Sequence, residues 1–177
     1  MKERLFAVHF LMESVAFGLT DGIICFLGII VGVATATADS RLVLIAGIVG
    51  GVADALGNSI GFFVSQATER TVQLREAKPG DESHVHSKTE VYMSGVFSFL
   101  ATLVALVFLL SPFAFAEVWQ ATTVSFVVGT VLAFMLGFYI GKIGEANPFK
   151  SGLKYACITM FGALVAYGIG EVLHIYI

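Results

Sequence analysis

Two acidic residues lie inside long apolar segments, an unusual place for a carboxylate. Asp21 is in the first such segment and Asp54 in the second, and Asn58 follows Asp54 by one helical turn. A carboxylate facing hydrocarbon costs about 2.5–3.5 kcal/mol on insertion scales, so such groups are expected to face a bundle interior or a water-filled path. Carboxylate and amide oxygens are hard ligands that suit divalent metal ions. Asp21 and Asp54 therefore predict a paired-acid site inside the membrane, with Asn58 able to face the same path.

A purely structural role would explain the same acids differently. Both carboxyl groups would then stay protonated and hydrogen-bonded to Thr20, Asn58 or each other, serving only helix packing. A metal–proton exchanger uses the same chemistry, because metal binding needs the ionised form and releases protons, and incoming protons expel the metal. Solvent access separates the two interpretations, and both remain open from the sequence.

The composition indicates which elements carry these residues. Of 177 residues, 57% are apolar and 13% charged, with 19 glycines, as is typical of an all-α bilayer protein. Segments of about 20 predominantly apolar residues are long enough to span a membrane. Five qualify, at about 6–36, 42–67, 91–113, 119–142 and 152–175. We predict an integral membrane protein with one five-helix transmembrane domain over 1–177. The net charge of −3 and scattered basic residues argue against nucleic acid as a partner.

The basic residues predict the orientation of the helices. All of the ten lysines and arginines except Arg41 fall on one side of this topology, which places the N-terminus in the cytoplasm and the C-terminus outside. Residues 66–90 then form a short cytoplasmic loop between the second and third helices. A turn centred near residue 38 puts Asp21 and Asp54 at nearly equal depth, at about 1.5 Å per residue.

Further polar residues near the helix ends are weaker candidates. Glu13 and His9 are spaced i, i+4 and could form an entry site, or a plain interfacial pair. The polar segment holds acids and imidazoles that could capture metal ions. A solvated helix end or a flexible loop would account for these residues equally well. They are Glu69, Glu76, His84, His86 and Glu90. Glu171 and His174 could form an exit site or proton relay, or a solvated helix end.

The remaining chemistry-bearing and small residues have simpler expectations. Cys25 and Cys157 lie in apolar runs and are expected to be inert packing residues. A membrane redox enzyme using the cysteines, or haem on His9 and His174, is a rival, but those histidines fall at opposite ends of the topology. Glycines at helical spacing are expected to allow close helix packing: Gly22, Gly28, Gly32, Gly61, Gly129, Gly137 and Gly141.

Three stretches together resemble the vacuolar iron transporter family. The first is Gly18-Leu-Thr-Asp21-Gly22, the second begins at Ala53-Asp54, and the third begins at Asn147-Pro148. The resemblance is to a short member, because residues 66–90 stand where many members carry a long metal-binding insert. Asn58 stands in place of the family's methionine, which leaves the preferred metal open between ferrous iron, manganese or a broader range.

The resemblance implies a transporter and not an enzyme, with a metal site in which Asp21 and Asp54 match the family's membrane-embedded acids and Asn58 assists. Ferrous iron or manganese would leave the cytosol, by proton antiport, with the metal as cargo and no prosthetic group. It also implies a homodimer whose metal path lies where the first helices of two protomers meet, in a vacuolar-type membrane if eukaryotic or the plasma membrane if prokaryotic. A membrane-embedded scaffold or sensor that binds metal without moving it is the alternative.

Overall fold

The fold is a bundle of five long helices. The computed structural model describes the backbone of residues 2–77 and 85–176, and side chains from residue 12 onward within those ranges. The helices are α1 (Lys2–Thr37), α2 (Ser40–Glu76), α3 (Lys88–Leu110), α4 (Val118–Ile143) and α5 (Pro148–His174), with a 3₁₀ turn at Ser111–Ala114. Within the described ranges, these five helices are long and apolar enough to cross a membrane. The predicted five-span, all-α architecture is confirmed.

Helix α1 occupies the centre of the bundle and contacts every other helix. Its large apolar side chains, among them Ile23, Phe26, Leu27 and Ile30, are almost completely buried. Such a helix is apolar all round because it faces protein on most sides. Asp21 is therefore held in a helix that contacts all four of the others.

A tight turn joins α1 to α2, close to the predicted centre. Ala38 adopts a left-handed conformation, with φ of 51°, which reverses the chain immediately after α1. Asp39 then caps α2 by accepting a 2.7 Å hydrogen bond from the backbone N–H of Arg41. With so short a turn, α1 and α2 form an antiparallel hairpin, and residues equally far from the turn lie opposite each other.

Helix α2 is longer than the sequence predicted. It continues to Glu76, so residues 66–76, expected to be loop, are helical. Its last turns hold the following segment: Arg70 Nε donates to the His86 carbonyl at 2.8 Å, and the His86 N–H donates to Gln73 Oε1 at 2.9 Å. Ser87 and Glu90 form a capping box that begins α3.

Helices α4 and α5 form a second hairpin. Asn147 caps α5 through a 3.1 Å bond from the Lys150 N–H, and Pro148 takes the first helical position, where its missing N–H costs nothing. Added Cβ atoms at Gly137 and Gly141 would meet Tyr155 and Ser151 of α5 at 2.6–2.9 Å. These glycines therefore let the two helices approach closely.

The other glycines divide into packed and open positions. Gly22 lies against Thr102 of α3, Gly32 against Ala166 of α5, and Gly129 against Leu27 of α1. Nothing lies within 4 Å of the Cβ position at Gly28 or Gly61. The expectation that Gly28 and Gly61 serve packing is therefore wrong within one protomer, because both face open space.

Gly18 and Gly28 allow a matched test on one helix. A Cβ at Gly18 would clash with the backbone carbonyl of Ser98, whereas one at Gly28 meets nothing. We expect Gly18→Ala to destabilise the protein by about 1–3 kcal/mol, the usual cost of overpacking. Gly28→Ala should unfold at or slightly above the wild-type temperature, since alanine favours helix. Thermal melts in detergent, followed by circular dichroism, test this; equal melting temperatures would contradict the packing.

Candidate metal and proton site

The site is built around the side-chain amide of Asn58. Its Nδ2 donates to Asp21 Oδ2 at 2.9 Å and to Asp54 Oδ2 at 3.3 Å, and lies 3.4 Å from Thr102 Oγ1. Ionised carboxylates only accept hydrogen bonds, so the amide nitrogen is the end of Asn58 that faces them. One amide group thereby connects α1, α2 and α3.

The hairpin explains why the acids meet. Asp21 is on α1 and Asp54 on α2, at similar distances from the turn at Ala38, and Asn58 shares a face of α2 with Asp54. Both carboxyl groups accept from the same Asn58 nitrogen, at 2.9 and 3.3 Å, and both residues are partly buried. Two like charges this close require a proton, a hydrogen-bond donor or a cation between them. The Asn58 amide supplies a donor.

Thr102 is a member of the site that the sequence analysis missed. It is fully buried, and its Oγ1 lies 3.1 Å from the Gly18 carbonyl and 2.9 Å from the Ser98 carbonyl, to which it donates. The signal was present in α3, where Ser94, Ser98 and Thr102 recur every four residues in an otherwise apolar span. Such a stripe marks one helix face, and this face is buried.

The donor set is small within one protomer. In residues 12–77 and 85–176, no group of three or more His, Cys, Asp or Glu side chains is arranged to hold a metal ion. The available oxygens are those of Asp21, Asp54 and the Asn58 amide, and the last would have to turn to present its oxygen. These are hard ligands suited to Mn²⁺ and Fe²⁺.

Comparison with known proteins identifies the family of the chain. The model of the VIT family matches residues 12–90 and 75–171, which together cover most of the chain. The chain belongs to the VIT family. An uncharacterized protein of Methanocaldococcus jannaschii is 28% identical over 160 residues, covering 85% of this chain and 83% of that protein.

Two plant relatives carry informative names. Vacuolar iron transporter homolog 1 of Oryza sativa subsp. japonica is 26% identical, over 89% of this chain and 72% of that protein. Vacuolar iron transporter homolog 3 of Arabidopsis thaliana is 23% identical, over 94% of this chain and 86% of that protein. The resemblance drawn from the sequence is thus confirmed, and this VIT-family chain is an integral membrane protein.

The structure places Glu13 at an open cleft of this VIT-family protein. The cleft, of about 850 Å³, lies beside α1 and is lined mainly by apolar and aromatic side chains, with Thr20 also at its wall. Glu13 is exposed, and Thr20 directly precedes Asp21. The side chain of His9, its predicted partner, lies outside the described residues.

The predicted capture residues do not form one cluster. His84 lies outside the described residues, and His86 is buried, with its backbone bonded to Arg70 and Gln73. Glu90 Oε2 accepts from the Ser87 N–H at 2.7 Å, so it is engaged in the α3 cap. Glu69, which accepts from Gln73 at 3.2 Å, and Glu76 are exposed on the extended end of α2. Capture by these residues stays a prediction.

The residues predicted at the other end of this VIT-family bundle have structural partners. His174 Nδ1 lies 2.9 Å from the Ala36 carbonyl; because a carbonyl only accepts, the ring donates from Nδ1 and ties the end of α5 to α1. Glu171 is exposed and within hydrogen-bonding reach of the Tyr167 hydroxyl. Their role in exit or proton transfer stays a prediction.

The two cysteines have different surroundings. Cys157 is exposed on α5, and Cys25 is partly buried on α1. Cys25 packs against the apolar core of the bundle, one helical turn after Asp21. The packing part of the expectation for Cys25 agrees with this position, and the chemical inertness of both thiols stays a prediction.

Asn58→Leu tests the bridging amide. It removes donors to two carboxylates and leaves the acids facing each other, so we expect a loss of about 1.5–3 kcal/mol of stability, the usual range for hydrogen bonds to charged groups. Thermal unfolding in detergent measures the loss. In an Asp21→Asn background the same substitution should cost clearly less, since one charge is gone. An equal cost in both backgrounds would show that the effect comes from leucine packing.

Proposed function

We propose that this chain transports divalent transition-metal ions, ferrous iron or manganese, out of the cytosol in exchange for protons. The observation that carries the proposal is the pair of carboxylates from α1 and α2 that share the Asn58 amide inside a membrane-spanning bundle. Membership of the VIT family and the names of the plant relatives support it. Intramembrane acids of this kind commonly mark ion pathways and proton relays.

The Asn58 amide stands where a cation would be most stable. In the metal-free site its N–H groups point at Asp21 and Asp54 and offset their mutual repulsion. A divalent ion entering between the carboxylates would displace this donor, and rotation of the side chain would turn the amide oxygen toward the metal. Protonation of the acids would reverse the exchange, because protonated carboxyls bind metal poorly. Metal and protons would thus occupy the site alternately.

The direction of transport rests on the distribution of charge. The excess of lysine and arginine on one side places the α2–α3 loop and the N-terminus in the cytoplasm. Glu13 and the cleft that it borders would then open near the cytoplasmic end of α1, and the cleft reaches Thr20, next to Asp21. This arrangement favours entry of metal along α1 from the cytosol.

A homodimer would complete the donor set. One protomer offers two carboxylates, and a two-fold axis near them would bring four together. Gly18 and Gly22 of α1 pack against α3 of the same protomer. Gly57 and Gly61 on α2 are instead exposed and open, one turn apart, as close helix association in membranes requires. We place the partner on this face of α2.

Cross-linking tests the dimer face. In a background in which Cys25 and Cys157 are serine, Gly61→Cys should form a disulfide-linked dimer in native membranes under mild oxidation. Gly168→Cys, equally open but on α5, should stay monomeric and serves as the control. Cross-linking of Gly168→Cys alone would place the partner elsewhere.

Reconstitution tests transport. Sealed proteoliposomes with an acidic lumen should take up Fe²⁺ or Mn²⁺ and lose luminal protons. Asp21→Asn and Asp54→Asn should each reduce both fluxes to background, because the amide cannot exchange a proton. Asp39→Asn is the matched control: it neutralises an exposed acid in the turn, and asparagine caps a helix as well as aspartate.

Each outcome of the flux assay separates the alternatives. Normal transport by Asp21→Asn would remove the acid pair from the mechanism. Metal that binds to wild type without crossing the membrane, as measured by Mn²⁺ electron paramagnetic resonance on the purified protein, would indicate a scaffold or sensor. Metal flux without a matching proton flux would retain the transporter and overturn the antiport.

A further inference from the structure

Two phenylalanine rings lie one helical turn from the acid pair, on the side of the open cleft. Phe17 precedes Asp21 by four residues on α1, and Phe62 follows Asn58 by four on α2. Each ring therefore shares a helix face with a residue of the site. The ring centroids are 5.0 Å apart, which is a direct aromatic contact. The contact between Asp21 and Asn58 is thus followed, one turn away, by a contact between two apolar side chains.

The two rings interrupt polar faces on both helices. One turn further from the acids, Glu13 continues the face of α1 and Gln66 continues the face of α2. Glu13 is exposed at the cleft. Gln66 is only 2% exposed, and its Oε1 has no hydrogen-bond partner among the described residues. Bound water commonly satisfies a buried oxygen of this kind. We therefore expect water on both sides of the rings and none between them.

The cleft gives one of the rings room to move. Phe17 and Phe62 both line this space of about 850 Å³. Phe17 is 42% exposed, whereas Phe62 is 7% exposed and belongs to the buried face of α2. A change of rotamer at Phe17 would carry its ring into the cleft and leave Phe62 in place.

We propose that Phe17 and Phe62 form a gate between the cleft and the acid pair, with Phe17 as the moving side chain. This rests on the proposed function, because it assumes that ions reach the acids from the cleft. An apolar constriction excludes water and ions while its side chains touch. Rotation of Phe17 opens the way to Asp21, and its return keeps the bound metal or protons from going back into the cleft.

Thiol labelling measures the gate without requiring transport. In the cysteine-free background used for cross-linking, Asn58→Cys places a thiol on the far side of the rings. A cationic methanethiosulfonate is added to inside-out membrane vesicles, whose cytoplasmic face is accessible. We expect Phe17→Ala and Phe62→Ala each to raise the labelling rate about tenfold, the factor that loss of one aromatic contact can account for. Phe97→Ala, which widens the same cleft but leaves the ring pair intact, should not change the rate.

Proton leak provides a second measurement in protein that keeps Asn58. Without metal, proteoliposomes with a pH gradient should lose it faster with Phe17→Ala than with wild type, because the acids then stay open to the cleft. Phe17→Leu keeps a large apolar side chain and should leak less than Phe17→Ala. Adding Asp21→Asn to Phe17→Ala should remove the leak, since the protons pass by way of the acid.

The outcomes separate the gate from the proposed function. Equal labelling with and without the ring pair would overturn the gate. A leak in Phe97→Ala as large as that in Phe17→Ala would also overturn it, because the width of the cleft would then set access. If wild type moves no metal in the flux assay while Phe17→Ala and Phe62→Ala still raise the labelling rate, the proposed function fails and the rings remain a barrier between the cleft and the acids.

Discussion

Two carboxylates on neighbouring helices share one amide donor, and this constraint fixes how three helices meet. Asn58 can reach Asp21 only if α1 and α2 approach closely at that level, and it can lie near Thr102 only if α3 closes the third side. Thr102 Oγ1 in turn lies 3.1 Å from the Gly18 carbonyl, about one turn before Asp21. Polar groups inside a bilayer protein must find partners within the protein. The site therefore also fixes how α1, α2 and α3 are aligned with one another.

Small residues make this close approach of the helices possible. The backbone of α1 touches α3 at Gly18, and at Gly22 a Cβ would meet Thr102 at 3.2 Å. Any larger side chain at either position would separate the helices and lengthen the hydrogen bonds around Asn58. The glycines near the acids thus matter because they let the helices approach closely, and not because they make the backbone flexible. At the far end of α1, Gly32 and Gly170 of α5 pack in the same manner.

Much of this architecture could be predicted, for identifiable reasons. Long apolar runs mark the spans, and the short turn at Ala38 places Asp21 and Asp54 at nearly equal depth. The end of α2 was missed because residues 66–76 are polar, so hydropathy gives no signal for a helix that leaves the membrane. The hydroxyl of Thr102 was missed for another reason. Which neighbour a side chain faces depends on the rotation of each helix about its axis, and spacing along one helix does not determine that rotation.

Helix α2 is much longer than the hydrocarbon layer is thick. Its 37 residues extend about 55 Å, against about 30 Å of hydrocarbon. Glu76 lies about 27 Å from Asn58 along the axis, so a tilt of α2 by about 10° around the site displaces that tip by about 5 Å. Arg70 and Gln73 hydrogen-bond to the backbone of His86 and so hold the segment before α3 against this end of α2. A tilt of α2 at Asn58 would therefore also displace the segment that begins α3, because Arg70 and Gln73 bond to it near the end of α2.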